Sequence, residues 1–366
     1  MRIIAISVYE VDLPYVDECY SWSGGNSVAV AQTTVVRIET DNDVYGVGEV
    51  CPLPGYLPAY GAGVRPGIAE IGPKLMGVDP TCIGHINRLM DVTLKGHAYV
   101  KSPIDIACWD ILGKVAGLPV HALLGGRQMD RMPMYRVVNI DTPEIMVETV
   151  QRYRDQGYRH FQMKVGGDAG EDIERIRAVV GSKHTNEIVF ADANTGWRRD
   201  DALRVAAATR DLYYYIEQPC ELFEDCRSVA PRASQPIKLD EILQSTAAIL
   251  RAHQDDCMDA ASIKIGRFGG LSKARFARDL CGEMGVPVNV EDTWGSDVVT
   301  AACAHLAVST PPELLLNTTD LNNYVTVSVA DGAPVVDDGY LKIGDAPGLG
   351  VKLKEDVLGE PVAVFS

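Results

Sequence analysis

Phe161-Gln162-Met163-Lys164, Val189-Phe190-Ala191-Asp192, Tyr215-Ile216-Glu217, Ile237-Lys238-Leu239-Asp240 and Ser262-Ile263-Lys264 are built alike, each an apolar or β-branched run that stops on a charged residue. The charged ends follow one another at steps of 28, 25, 23 and 24 residues, and a further 28 reaches Asp292 in Val290-Glu291-Asp292. A strand, a helix and two turns use about that many residues, so the period is that of a repeating βα unit. A parallel sheet closed into a barrel brings so many strand ends to one rim, and the rim at the C-terminal ends of the strands is where such barrels do chemistry. The expected arrangement is a ring with Lys164 on one side, Lys264 on the other, and Asp192, Glu217 and Asp240 between them.

Around this stretch the chain reads as follows. The first barrel strand falls near Met132–Tyr135 and the last at Leu314–Asp320, with helices predicted at 143–156, 171–180, 200–211, 222–230, 246–252, 271–284 and 298–309. Upstream, Met1–Pro14 alternates like a strand, and Asp41-Asn42-Asp43 marks a hairpin between two β-branched runs. Residues 64–124 turn helical, with Ser102 as N-cap, Pro103 at the first helical position and Gly117-Leu118-Pro119 as the stop. These features predict a small α+β domain over residues 1–125, a barrel over 126–339, and a tail from 340 to 366 that packs back on the first domain. The loop Tyr20–Asn26 with its Trp22 reads either as a surface loop or as a lid over a site. Cys51–Tyr56 is a second such loop.

Composition excludes several classes. A chain of 366 residues with 46% hydrophobic and 23% charged residues is a folded globular protein with room for a second domain. Its formal net charge of −16 repels nucleic acid phosphates. Without a membrane-length apolar run or a signal-peptide pattern, a cytoplasmic protein is expected. The nine cysteines include no Cys-x-x-Cys pair and read as reduced thiols.

Three acids at successive strand ends form a hard oxygen site suited to magnesium, with manganese as the second choice. The competing reading makes each acid a cap for the helix that follows. Asn194, Gln218 and Glu241 would orient the acids or the substrate. A lysine beside a divalent cation should lose its proton more readily and serve as a base toward the carbon next to a carboxylate, the metal holding the charge of the enediolate. The competing reading has the lysines merely bridging the acids. Two bases on opposite walls permit proton removal on one face and delivery on the other.

At these residues the chain resembles the enolase superfamily, muconate-lactonizing subgroup. The resemblance covers nearly the whole chain, including Leu124-Gly125-Gly126, Glu217-Gln218-Pro219 and Gly269-Gly270-Leu271. It implies a (β/α)7β TIM-like barrel under an N-terminal α+β capping domain, with metal acids Asp192, Glu217 and Asp240, catalytic Lys164 and Lys264, and a homo-oligomer. The subgroup's frequent Lys-x-Lys on the second strand is here Gln162-Met163-Lys164, and the missing cation suits a substrate that carries its own ammonium. The runs around Trp22-Ser23-Gly24-Gly25-Asn26, Lys164-Val165-Gly166-Gly167, Asp192–Trp197 and Glu291-Asp292-Thr293-Trp294-Gly295 are similar to those of cis-3-hydroxy-L-proline dehydratases. Related sequences with the same Gln-x-Lys are epimerases or racemases of proline betaines, and both take a small cyclic amino acid. In cis-3-hydroxy-L-proline the α-hydrogen and the hydroxyl lie on opposite ring faces, so two opposed lysines suit an anti loss of water. For the ammonium, Asp292 and Asp320 are the candidates, with helix capping as their other reading. Gln162, Asn194, Tyr56, Trp22, Thr293 and Trp294 complete the expected substrate-binding set, although the aromatics could equally be core. Besides dehydration and epimerisation, a barrel that binds an amino acid without turnover remains a third reading.

Overall fold

The computed structural model describes residues 1–366. β1 (Ile3–Pro14), β2 (Val30–Thr40) and β3 (Tyr45–Val50) form an antiparallel sheet, joined by a turn in which Asp43 takes a left-handed conformation at φ 60°. Against it lie α1 (Val64–Leu75), α2 (Ile83–Thr93) and α3 (Ala98–Ala116). The expected start of α3 at Ser102 and Pro103 is corrected. The helix begins five residues earlier, after left-handed His97, and Ser102 is fully buried inside it. Proline inside a helix forfeits one backbone hydrogen bond and costs about 3 kcal/mol. Here α3 is buried through nearly its whole length, and the sheet packs so closely that a Cβ on Gly48 would stand 1.9 Å from the Pro103 carbonyl oxygen. Burial on that scale outweighs the local cost. The stop holds as expected, with Gly117 left-handed at φ 67°.

Eight parallel strands follow: β4 (Tyr135–Val138), β5 (His160–Lys164), β6 (Ile188–Asp192), β7 (Tyr215–Glu217), β8 (Ile237–Leu239), β9 (Ala260–Lys264), β10 (Val288–Glu291) and β11 (Leu315–Thr318). They pair in sequence order, and a parallel bridge from Met134 to Thr318 closes the ring. The seven intervening helices are α4 (Pro143–Asp155), α5 (Ala169–Gly181), α6 (Arg199–Ala208), α7 (Phe223–Val229), α8 (Thr246–Gln254), α9 (Leu271–Glu283) and α10 (Asp297–Val308), within three residues of their expected bounds. Only a short 3-10 turn, Leu321–Tyr324, follows the last strand, which makes the barrel (β/α)7β. Register places the acids and lysines at one level: Lys164 opposite Asp192, Asp192 opposite Glu217, and Lys264 opposite Glu291.

The tail returns in two places. Tyr340–Lys342 pairs with Met132–Pro133 at the entry to the barrel, and β12 (Ala363–Phe365) adds to the edge of the capping sheet beside β1. Between them Leu349 N donates to Asp110 of α3, and buried His305 of α10 stacks near His121 at 5.3 Å. No helix is long and apolar enough to cross a membrane.

Burial drives His305 down to about 3 and His160, at the foot of β5, down to about 4. Both are neutral in the fold, while in the unfolded chain each takes a proton below a pH of about 6.5. The unfolded state therefore binds more protons as pH falls, and each histidine removes about 1.4 kcal/mol of stability per pH unit between about 6.5 and 4. Urea midpoints at pH 7 and pH 5 should show this contribution as a difference in slope, His305→Gln losing less stability, or gaining more, than the parent protein as pH falls. An unchanged slope in the variant would contradict this account.

Candidate active site

Alternation along each strand decides what enters the mouth of the barrel, because residues two apart share a face. On β5 the pair is Gln162 and Lys164, on β9 Ser262 and Lys264, on β10 Asn289 and Glu291. Lys238 lies two residues before Asp240 and likewise points in. The lysines of interest sit on the second and sixth of eight strands, four steps apart, and so on opposite walls of the ring.

Each charge is held by its neighbours. Lys164 Nζ donates to Asp192 at 2.6 Å, Lys264 Nζ lies 2.8 Å from Asp240, and Arg267 donates to the other Asp240 oxygen at 2.7 Å. Glu217 accepts from Lys238 at 2.7 Å and from Gln162 at 3.0 Å. Backbone geometry supports these acids from behind. Gln218, left-handed at φ 36°, accepts from the backbone N–H of Asp240 at 2.9 Å. Asn194, at φ 42°, donates its backbone N–H to Asp192 and its side chain to Glu241, both at 2.9 Å. Non-glycine residues in that region cost about 1–3 kcal/mol each and persist where function holds them.

The three acids do not cap the following helices, and no group of three acid, histidine or cysteine side chains converges as a coordination sphere, since each carboxylate is turned onto a protein cation. Charge counting nevertheless fits a divalent cation. Six buried carboxylates (Asp192, Glu217, Asp240, Glu241, Glu291, Asp292) face four buried cations (Lys164, Lys238, Lys264, Arg267), an excess of two negative charges. Burial and then the neighbouring carboxylates push Glu241 up to about 8; burial, with Asp192, Asp240 and Glu291, outweighs Lys238 and pushes Glu217 up to about 7. Glu241 Oε2, Glu291 Oε1 and Asn194 Oδ1 are buried without partners. The donor set is all oxygen, as hard cations require.

Both lysines are held above their ordinary values. Burial opposes the charge, but the neighbours together outweigh it, Asp192 with Tyr20 and Glu217 for Lys164, and Asp240 with Glu291 and Glu241 for Lys264. The protein's own groups thus act opposite to the expected easing of the proton, which rests on the charge of a divalent cation cancelling these carboxylates.

Above the lysines lies an aromatic roof. The Tyr20 ring is 5.7 Å from Lys164 Nζ, the Tyr56 ring is 5.2 Å from Lys264 Nζ, and the two hydroxyls are joined at 3.1 Å. The cavity beneath it is about 30 Å³, room for little more than a water. A cyclic amino acid needs more room than that, which favours the lid over the surface loop for the segments carrying Tyr20 and Tyr56.

Among the other expected residues, Gln162, Asn194, Tyr56, Asp292, Thr293 and Trp294 line the cavity. Two of the expected residues do not line the cavity. Trp22 stacks behind Tyr56 at 4.8 Å and buttresses it; Tyr20 is the aromatic that faces the cavity. Asp320 is buried and spent elsewhere, paired with Arg136 at 3.3 Å and accepting from Asn323 at 2.9 Å. Asp292 lines the cavity, but its oxygens already accept from the Gly266 and Thr293 N–H groups at 2.7 Å each. Lys238 and Glu291 were not among the expected site residues, yet both point into the barrel mouth. Glu291 accepts from the Tyr135 hydroxyl at 2.5 Å and keeps its other oxygen unpartnered. Period-two alternation from Asp240 and Asn289 was the signal that marked them.

Residues 145–357 match the family described as enolase C-terminal domain-like, and residues 23–125 the mandelate racemase/muconate lactonizing enzyme N-terminal domain. The cis-3-hydroxy-L-proline dehydratase of Roseibium aggregatum is 49% identical over the full length of both chains. A crystal structure of a mandelate racemase/muconate lactonizing enzyme from Roseovarius nubinhibens superposes with a TM-score of 0.96 at 45% identity, covering 100% of this chain and 98% of that one. A second enolase-superfamily structure from that organism, complexed with magnesium, gives 0.95 at 38% identity over 100% and 99% of the two chains. With two lysines and three acids on one barrel rim beneath an α+β cap, and family matches that span both the rim and the cap, the chain belongs to the mandelate racemase/muconate lactonizing group of the enolase superfamily.

Proposed function

We propose that the protein is a magnesium-dependent hydro-lyase that removes water from cis-3-hydroxy-L-proline to give 1-pyrroline-2-carboxylate. The observation that carries the reading is the pair of lysines on opposite barrel walls, in a chain half identical to a dehydratase of that compound. Asp192, Glu217 and Asp240 would hold the cation, with manganese as an alternative that satisfies the same oxygen preference. When bound, Mg²⁺ supplies positive charge toward the substrate carboxylate and so favours loss of the α-proton.

The chain's own residues do the rest. One lysine Nζ accepts the α-proton from one ring face, and the other, an ammonium on the opposite face, gives its proton to the 3-hydroxyl, which leaves as water. The resulting enamine tautomerises to the cyclic imine. Positioned proton transfer of this kind contributes about 10²- to 10⁴-fold in rate. We assign the substrate ammonium first to Glu291, which lines the cavity and keeps one buried oxygen free, and then to Asp292. Gln162 leaves the second strand without a second cation and steadies Glu217 instead. Tyr20 and Tyr56 close over the ring and exclude water.

A 2-epimerase of proline, hydroxyproline or proline betaines would use the same lysines, the second returning a proton to the α-carbon. Incubation in deuterated water separates the two. The dehydratase converts the cis substrate to imine and leaves the trans isomer nearly untouched; inversion with deuterium at the α-carbon and no imine would establish the rival, and binding without either exchange or imine a non-catalytic barrel. We further place the protein in the cytoplasm as a homo-oligomer, a setting in keeping with its nine free thiols.

A further inference from the structure

A second cavity, about 480 Å³, lies between the capping helices and the barrel and shares no lining residue with the catalytic one. Its volume falls in the range of small-molecule sites. Two helices begin at its wall: α3, through His97 and Ala98, and α8, through Ser245 and Thr246. Neither has an acidic residue in its first turn; α3 has no side-chain cap, and on α8 only the Ala248 N–H is taken, by the Ser245 hydroxyl at 3.2 Å.

Side chains add positive charge. Lys101 Nζ donates to Asp91 at 2.7 Å and Lys273 Nζ to the same carboxylate at 2.8 and 2.9 Å, so two ammonium groups share one carboxylate, with buried Asp105 the next acid near Lys273. Lys101 is 3% exposed, held there in spite of the cost of burying an ammonium. Arg267, 5% exposed, donates to Asp240 and to the Ser262 carbonyl oxygen, but its Nε–H is buried and has no acceptor. Opposite these groups the wall is apolar, with Leu57, Pro58 and Phe268.

We propose that this cavity binds a small organic dianion, its head group on Lys273, Lys101 and the helix N-termini and its apolar body against Leu57 and Phe268. A positive pocket in a chain of net charge −16 selects anions locally where the surface at large repels them. The head group is a phosphate ester or a pair of carboxylates, since both present several charged acceptor oxygens to the same donors. Because Arg267 spans from this wall to Asp240, the ligand is placed to bias the rim acids from outside the catalytic cavity. The assignment stands apart from the substrate reading and is tested by binding alone.

Isothermal titration of the magnesium-loaded, full-length protein with phenyl phosphate and, separately, with benzene-1,2-dicarboxylate distinguishes the two head groups. The expected result is saturable binding of at least one, weakened at least about tenfold by Lys273→Glu and by Gln244→Glu, the latter with the thermal midpoint unchanged. Both positions lie on the cavity wall and outside the catalytic rim. Binding of neither compound below about 10 mM, or affinity that either variant leaves intact, overturns the assignment.

Discussion

Lys164→Ala and Lys264→Ala should each cut dehydration of cis-3-hydroxy-L-proline by about 10²- to 10⁴-fold, and the double variant should be little worse than the poorer single one. In the proposed mechanism the two amines act on one substrate, one taking the α-proton and the other protonating the leaving hydroxyl, so losing either blocks the full elimination. Their consequences differ for a partial reaction. The variant that lacks the proton-accepting amine should lose α-hydrogen exchange with deuterated water as well as imine formation. Its counterpart should keep exchange, because the α-proton still leaves and returns on the intact face. Imine yield and α-deuterium content by NMR read both effects, and near-normal dehydration by either variant would contradict the assignment. Replacement of Lys164 also leaves the buried Asp192 carboxylate without its cation, whereas Asp240 keeps Arg267 when Lys264 is replaced, so circular dichroism must accompany the kinetics.

Glu49→Ala should destabilise the fold by about 3–5 kcal/mol although Glu49 lies outside the catalytic cavity. This carboxylate, fully buried on β3 of the capping sheet, accepts from the backbone N–H groups of Ser296, Val298 and Val299 at 2.7, 3.1 and 2.9 Å and from the Thr33 hydroxyl at 2.8 Å. It caps α10 from another part of the fold, satisfying three N–H groups that the helix itself leaves open. Alanine strands all three away from water. Because α10 starts just beyond Thr293 and Trp294, which line the cavity, activity should fall with stability. Urea unfolding checks the magnitude, and a loss under about 1 kcal/mol would show that water replaces the carboxylate at little cost.

The rim was legible because its determinants are local and periodic. A run that ends on Lys164, Asp192, Glu217, Asp240 or Lys264 says which strand end carries the charge, and closure of the barrel does the rest. Lys238 and Glu291 were equally legible from alternation, since each shares a strand face with a polar residue two positions away, but a buried lysine among acids reads as improbable until its partner Glu217 is placed beside it. Asp320 was not legible. Its fate is fixed by Arg136, 184 residues earlier on the neighbouring first strand, an encounter that only closure of the ring creates. Ser102-Pro103 misled for a related reason: the pair has the chemistry of a helix start, and the burial that overrides it comes from strands far away in sequence. Trp22 and Tyr20 share the face of a short strand, and which of them meets the cavity depends on where Tyr56 stands.

The central claim is spatial: three acids hold a divalent cation while two amines approach a ring from opposite faces. A crystal structure of the protein with Mg²⁺ and pyrrole-2-carboxylate, a flat ring that bears the same acid group, tests it most directly. The expected result is the ion on Asp192, Glu217 and Asp240, the ligand carboxylate against it, and Lys164 Nζ and Lys264 Nζ on opposite faces of the ring. An ion bound elsewhere, or both amines on one face, would contradict it.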